Sequence, residues 1–260
     1  MIGVLGGTGF YSLLGDAEKK EIETPFGKPS SHVGIGKIHG KDVAFIARHG
    51  EKHEYPPHKI PYKANMFAFK EIGVTHIIAP TAVGSLKREI KPGDFLVPDQ
   101  FVNFTRREDT FYDGPEIVHM GSTEPYCPDL RRIIIQEGAA AGYPMHPKGT
   151  VVVIQGPRFS SHAESGFFRS QNWDIINMTQ YPEVMLAREK EMCYANISLV
   201  TDYDTGVKDD PDVLPVSIED VMRILKENNE KTKKLIFNAV RKISENRPCV
   251  CAKALDDAKL

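Results

Sequence analysis

The chain has 260 residues but only four cysteines, Cys127, Cys193, Cys249 and Cys251, too few at this length for a scaffold built on disulfides. It has no excess of either charge: 33 Lys plus Arg stand against 35 Asp plus Glu, so nothing in the charge balance calls for nucleic acid or an anionic membrane as partner. No apolar run approaches the roughly 20 residues of a membrane span. The opening "MIGVLGGTGF" goes straight into a strand and a glycine turn, with no basic leader, apolar stretch and small-residue cleavage site. These absences together predict a soluble cytoplasmic protein whose partner is a small molecule or another subunit.

Several chemistries also lack their signatures. There is no G-x-S-x-G elbow, and "FSSHAES" crowds Ser160, Ser161 and His162 too closely in sequence to imply a triad. There is no H-E-x-x-H and no paired C-x-x-C. The C-x-C of "PCVCAK" is a pattern that can form a redox pair or bind a metal, but no zinc pattern elsewhere completes a site, and none is expected. The glycines of "GGTGF" fall short of a dinucleotide fingerprint, because Ser12 stands where a glycine is needed.

What is present is a series of short β-branched runs: "IGVL", "DVAFIA", "THIIAP", "DFLVP", "TVVVIQ", "DIINM" and "ISLVT". Several are apolar on both faces, as strands covered on both sides should be. Helical patterns lie between them in "YKANMFAFKEIG", "PDLRRIIIQEGAAAG" and "PEVMLAREKEM", and a long one runs from Ser217 to about Ser244. The last opens with "SIED", a Ser N-cap followed three positions on by an acid. With 41% hydrophobic residues the chain can bury a substantial core. The pattern predicts an α/β fold with a mainly parallel sheet and no internal linker.

In such folds ligands sit at the carboxyl ends of the strands. The residues just after the apolar runs are "GGTGF", "ARHG", "PTAVGS", "QGPRFSS", "NMT" and "TDYD". Thr8 and the glycine backbone could wrap a phosphate; Arg48 offers a fork of donors, and His49 beside it adds another. Thr81, the backbone of Ala82, a nearby serine and Thr179 extend this to an oxyanion cradle with no P-loop lysine, which suits free phosphate better than a nucleoside triphosphate. In "TDYD", Asp202 and Asp204 stand one residue apart and share a side if strand geometry persists.

The motifs "GGTG", "TPFGKPS", "ARHG", "AVGSLK", "KPGD", "DQF", "TFYDG", "EPYCP", "KGT", "GPRFSS", "AES", "INMT", "PEVMLARE", "CYA" and "TDYD" follow one another in the order found in the S-methyl-5′-thioadenosine phosphorylases. That family lies in the trimer-forming branch of the purine nucleoside phosphorylases, and the chain resembles it from about residue 2 to residue 245. The resemblance implies one domain over 1–245 around a mixed sheet, with 246–260 as a tail carrying the C-x-C. It also implies phosphorolysis of S-methyl-5′-thioadenosine, with adenosine as a possible second substrate, to adenine and 5-methylthioribose 1-phosphate. The same resemblance implies that no metal or organic cofactor is needed, inorganic phosphate being a co-substrate, and that the assembly is a homotrimer or a dimer of trimers.

By motif match, phosphate binding falls on Thr8, Arg48, His49, Thr81, Ala82 and Thr179. Met178 lies against the ribose, Phe159 and Ser160 border the base, and Asp202, Tyr203 and Asp204 face the purine, the two acids as the catalytic pair. His119 reaches across a subunit boundary to the sugar's 5′ end. Val216, Ile218, Val221 and Met222 form an apolar 5′ lining, and Ser160 and Ile218 are specificity positions. The tail "RPCVCAK" resembles that of heat-adapted archaeal relatives, whose cysteines can be oxidised; Cys127 with Cys193 and Cys249 with Cys251 are the pairs this implies. The rival readings are a phosphorylase of 6-oxo purine nucleosides or methylthioinosine, and a nucleotide-binding regulator without chemistry.

Overall fold

The computed structural model describes residues 1–7, 17–206, 213, 215–256 and 258–259. Thr8 and Gly9 of the glycine turn lie outside the described residues. Eleven strands follow in chain order: β1 (Ile2–Gly6), β2 (Glu18–Lys20), β3 (Val33–Ile38), β4 (Lys41–Ala47), β5 (His76–Ser85), β6 (Phe95–Leu96), β7 (Gln100–Phe104), β8 (Met145–His146), β9 (Thr150–Ile154), β10 (Ile175–Asn177) and β11 (Cys193–Asp202). The helices are α1 (Tyr62–Glu71), α2 (Pro128–Ala140), α3 (His162–Ser170), α4 (Gln180–Glu189) and α5 (Ile218–Lys242).

All seven predicted strands and all four predicted helices form. The sheet is mixed and mostly parallel: β1 lies between β4 and β5 in parallel, β11 runs parallel along most of β5, and β7, β9 and β10 are parallel neighbours. The antiparallel contacts are peripheral or short, such as β3 on β4 and the meeting of β10 with the last residues of β5 at Gly84 and Ser85. β5 is therefore the trunk from which the sheet divides.

Period-two alternation explains why both faces are apolar. Along β11, Cys193, Ala195, Ile197 and Leu199 join a core cluster with Leu235, Ile236 and Ala239 of α5 and Leu130 and Ile134 of α2. The intervening Tyr194 and Val200 join the opposite cluster, with Met66 and Phe69 of α1 and Val184 and Leu186 of α4. A strand covered on both sides has no polar face to show, so it reads as a continuous apolar run.

The helix starts carry local signals. Ser217 caps α5 by accepting from Asp220 N at 3.1 Å, as "SIED" predicts. The stretch "FSSHAES" is the start of α3, which had not been expected. Ser161 Oγ accepts from Glu164 N at 3.2 Å while Ser161 N donates to Glu164 Oε2 at 2.8 Å, a reciprocal capping box. The crowding of serine and acid there is helix-capping chemistry, not hydrolytic chemistry.

Candidate active site

The carboxyl ends of β4, β5, β10 and β11 open into one cleft, and the polar residues that follow them meet there. Arg48 and His49 come directly after β4. Arg48 is only 1% exposed, and Glu183 of α4 holds it through Nε to Oε1 at 2.6 Å and Nη2 to Oε2 at 3.2 Å, while Nη1 donates to the Pro80 carbonyl at 3.0 Å. Tyr194 also donates to Glu183, at 2.7 Å. Burial alone would lower the pKa of the guanidinium; the carboxylate more than offsets this, and Arg48 stays charged. Of its five N–H groups these bonds engage three, leaving two for an anion in the cleft.

His49 differs from the sequence reading. Its Nδ1 lies 2.8 Å from the Tyr55 carbonyl, which can only accept, so Nδ1 carries the hydrogen. Burial, opposed by this bond and helped by Arg48 and His53, pushes the pKa down to about 4. The ring is neutral, and its Nε2 is an acceptor. His49 thus turns an acceptor to the cleft where the sequence reading expected a second donor.

Thr81 and Ala82 line the cleft from β5 and Thr179 from the turn into α4. Ala82 and Thr179 are held together by Asn177, to which sequence reasoning gave no role. Its Oδ1 accepts from Thr179 N at 2.7 Å and Gln180 N at 2.8 Å, and its Nδ2 donates to the Ala82 carbonyl at 3.0 Å. Thr81 Oγ1 donates to Asn196 Oδ1 at 3.2 Å. The nearby serine, Ser85, turns away to the Lys87 carbonyl at 2.6 Å and has no part in the cradle.

Asp202 and Asp204 lie elsewhere in the same cleft. The strand geometry invoked for them does not persist: β11 ends at Asp202, after a register shift, and Asp204 takes a left-handed φ of 55°. They meet instead through a turn, Asp204 N donating to Asp202 Oδ1 at 2.8 Å, while Thr201 Oγ1 donates to Asp202 Oδ2 at 2.7 Å. Gly84 makes room for this, since a Cβ there would stand 2.9 Å from Asp202 Oδ1. Burial pushes the Asp202 carboxyl up to about 6, against bonds from Thr201 and Asp204 N that lower it. Burial also raises Asp204, which is 2% exposed and whose Oδ2 has no hydrogen-bond partner among the described residues. The hydroxyls of Ser160 and Ser165 approach Asp204 but are themselves unbonded at ordinary geometry, so this corner has unused donors and an unused acceptor.

Met178 and Phe159 line the cleft as expected. Tyr203 does not: its hydroxyl donates to the Arg88 carbonyl at 3.3 Å, away from the lining, because the turn that joins the two acids points the middle residue outward. The helical side of the cleft is Val221, Leu225, Asn229 and Thr232, one stripe of α5 at helical spacing. Only Val221 of the four predicted apolar residues is in it. Ile218 and Met222 are 63% and 47% exposed, and the backbone N–H of Val216 donates to the Asp204 carbonyl at 2.7 Å. The 3.6-residue period of a helix aims Leu225 inward one turn below Val221, and that period was available in the sequence. His119 is exposed on a loop outside the cleft, its N–H donating to the Ala258 carbonyl at 2.8 Å.

The profile of the phosphorylase superfamily matches residues 1–241. This chain belongs to that superfamily. The S-methyl-5′-thioadenosine phosphorylase of Pyrococcus abyssi is 52% identical over 255 residues, covering 98% of this chain and 97% of its own. That of Thermofilum pendens is 49% identical over 260 residues, covering 99% and 97%. Among solved structures, a methylthioadenosine phosphorylase from an antarctic soil metagenomic library superposes with a TM-score of 0.92 at 37% identity, covering 100% of this chain and 92% of that one. A methylthioadenosine phosphorylase from Schistosoma mansoni in complex with adenine gives 0.89 at 33% identity, covering 98% and 94%. In this member of the superfamily no helix among the described residues is long and apolar enough to cross a membrane.

The cysteines also depart from expectation. All four are free, and Cys249 Sγ lies 3.4 Å from Cys193 Sγ and 3.7 Å from Cys127 Sγ, so the contacts do not single out the two pairs that the resemblance implied. The tail is not a detached appendage: Arg247 donates to the Glu191 carbonyl at 2.6 Å, and Cys251 is buried in the core.

Proposed function

We propose that the chain catalyses phosphorolysis of S-methyl-5′-thioadenosine to adenine and 5-methylthioribose 1-phosphate. The observation that carries this reading is the pairing, in one cleft, of an anion cradle around Arg48 with a carboxyl, Asp202, raised to about 6 by burial. Phosphate rests on the two remaining N–H groups of Arg48 and the groups of Thr81, Ala82 and Thr179, with an O–H turned to His49 Nε2. Thr8 completes this cradle by motif match. A phosphate oxygen attacks C1′ as the C1′–N9 bond breaks and its electron pair moves into the purine. Protonated Asp202 gives its proton to N7 as charge collects there, and recovers one from water afterwards. Asp204 accepts from the 6-amino group and orients Asp202 through its backbone N–H. The phosphate dianion stabilises the oxocarbenium-like transition state that it then attacks.

In this reading Met178 and Phe159 enclose sugar and base, Ser160 supports Asp204, and the Val221 and Leu225 face of α5 takes the methylthio group. The 5′ end is closed by His119 of a neighbouring copy in a homotrimer or dimer of trimers. Phosphate is a co-substrate and no cofactor takes part, and the enzyme works in the cytoplasm. Residues 1–245 act as one catalytic domain. The test is to incubate the protein with methylthioadenosine, with and without phosphate, and follow free adenine. Adenine release that depends on phosphate is expected; inosine cleaved faster than methylthioadenosine, or no cleavage of any nucleoside, would sink the proposal.

A further inference from the structure

At the amino end of β11, opposite the cleft, the Sγ atoms of Cys127, Cys193, Cys249 and Cys251 lie within 4.8 Å of one another. Topology gathers them: Cys127 is the N-cap of α2, Cys193 is the first residue of β11, and the C-x-C turn brings the last two. That turn buries Cys251 and half-buries Cys249 while Val250 between them stays 59% exposed, so the two sulfurs converge and the intervening side chain is turned out.

We infer that these four cysteines form a tetrahedral tetrathiolate site for a divalent zinc-like metal ion, which staples the tail to α2 and β11. Four sulfurs about 2.3 Å from a central zinc stand about 3.8 Å apart. The observed contacts of 3.4 and 3.7 Å, inside an envelope of 4.8 Å, bracket that spacing. Soft thiolates with no oxygen donor among them select zinc and similar ions over magnesium or calcium.

The surroundings suit the charge. Binding breaks four S–H bonds, forms four metal–sulfur bonds, releases four protons to solvent and leaves a net charge of −2. Leu130 N donates to Cys127 Sγ at 3.5 Å at the start of α2, where the helix dipole favours negative charge. The adjoining cleft, lined by Cys127 and Cys249, is an entry path that carries Arg132, Lys242 and Arg247 beside Asp129 and Glu137. The staple is structural, since the ten residues of β11 put about 30 Å between this cluster and Asp202.

The experiment uses the full chain, reduced, stripped of metal by a chelator and titrated anaerobically with Co2+. One Co2+ per chain is expected, with the charge-transfer and visible bands of a tetrahedral tetrathiolate, displaced by Zn2+. Zinc should raise the melting temperature, and the stripped protein should still turn over at moderate temperature. Cys249→Ser should lose the tetrathiolate spectrum and the zinc-dependent part of the melting temperature. Four thiols that titrate freely in the presence of zinc, or reduced protein that binds no Co2+ while the isolated protein carries two disulfides, would overturn the inference. So would a melting temperature indifferent to zinc.

Discussion

Arg48 and Glu183, 135 residues apart in sequence, form a two-pronged ion pair with side-chain exposures of 1% and 0%. The pair sets the guanidinium in place before any anion arrives. Removing one partner of a buried pair leaves the other charge uncompensated, at a cost of about 3–5 kcal/mol. Glu183→Gln should therefore lower stability by about that amount and raise the KM for phosphate about tenfold or more, with a smaller change for the nucleoside. Thermal denaturation and initial rates at varied phosphate check this; equal shifts in both KM values would remove Glu183 from the phosphate side.

Asp202 should trade stability for activity. Its folded pKa of about 6 exceeds the ordinary 3.8, so its contribution to stability is fully present below about pH 4 and is lost as pH rises through 6. Ionised at neutral pH it costs up to about 3 kcal/mol. Asp202→Asn should thus melt higher than the wild type at pH 8 and show little difference at pH 4, while kcat/KM falls by about 10²–10⁴. In the wild type kcat/KM should decline as pH rises above about 6, and the variant should lack this limb. A variant less stable at every pH would contradict the burial argument.

The two acids should also read the base. Adenine offers an amino donor at C6, whereas a 6-oxo purine offers an acceptor that a carboxylate repels. Asp202→Asn combined with Asp204→Ala should lose most methylthioadenosine cleavage and gain relative activity on inosine, with phosphate affinity little changed. A double variant that keeps the 6-amino preference would show that another group reads it.

The 5′ preference should lie on the inward face of α5. Leu225→Ser should raise the KM for methylthioadenosine relative to adenosine by about 5- to 150-fold, the equivalent of about 1–3 kcal/mol, because an apolar wall gains nothing from a hydroxyl. Met222→Ser, at a position 47% exposed, should change the ratio less than about twofold by the same area argument. The reverse order of effects would return the assignment to the outer face.

Catalysis should need a neighbouring copy. His119 stands on an exposed loop outside the cleft of its own chain. His119→Ala should reduce kcat/KM for methylthioadenosine by about tenfold while the assembly, followed by light scattering, stays intact. Full activity in this variant, or normal turnover by a stable monomer, would refute the shared site.

Strands and helices were legible because their periods are local: "ISLVT" and "DVAFIA" are apolar on both faces and must be covered on both faces. β2, β3, β7 and β8 escaped: β2 and β8 are only two or three residues long, "VGIGKI" is broken by glycines, and "QFVNF" is exposed or half-buried throughout. α3 escaped because its capping residues resemble a catalytic cluster when read as a string. Asp202, Asp204, Arg48 and Thr179 were found by their place after apolar runs, where a parallel sheet collects its loops.

The sequence by itself determined the α/β class, the order of elements and the set of polar residues at strand ends, all of which depend on patterns a few residues long. Tertiary structure alone decided which distant groups touch. Glu183 neutralises Arg48, Asn177 ties Ala82 to Thr179, a carbonyl fixes the His49 hydrogen on Nδ1, and a C-x-C finds its partners in Cys127 and Cys193. Proton positions and ligand sets follow from distances across the core, and chain topology sets those distances over separations that no local period encodes.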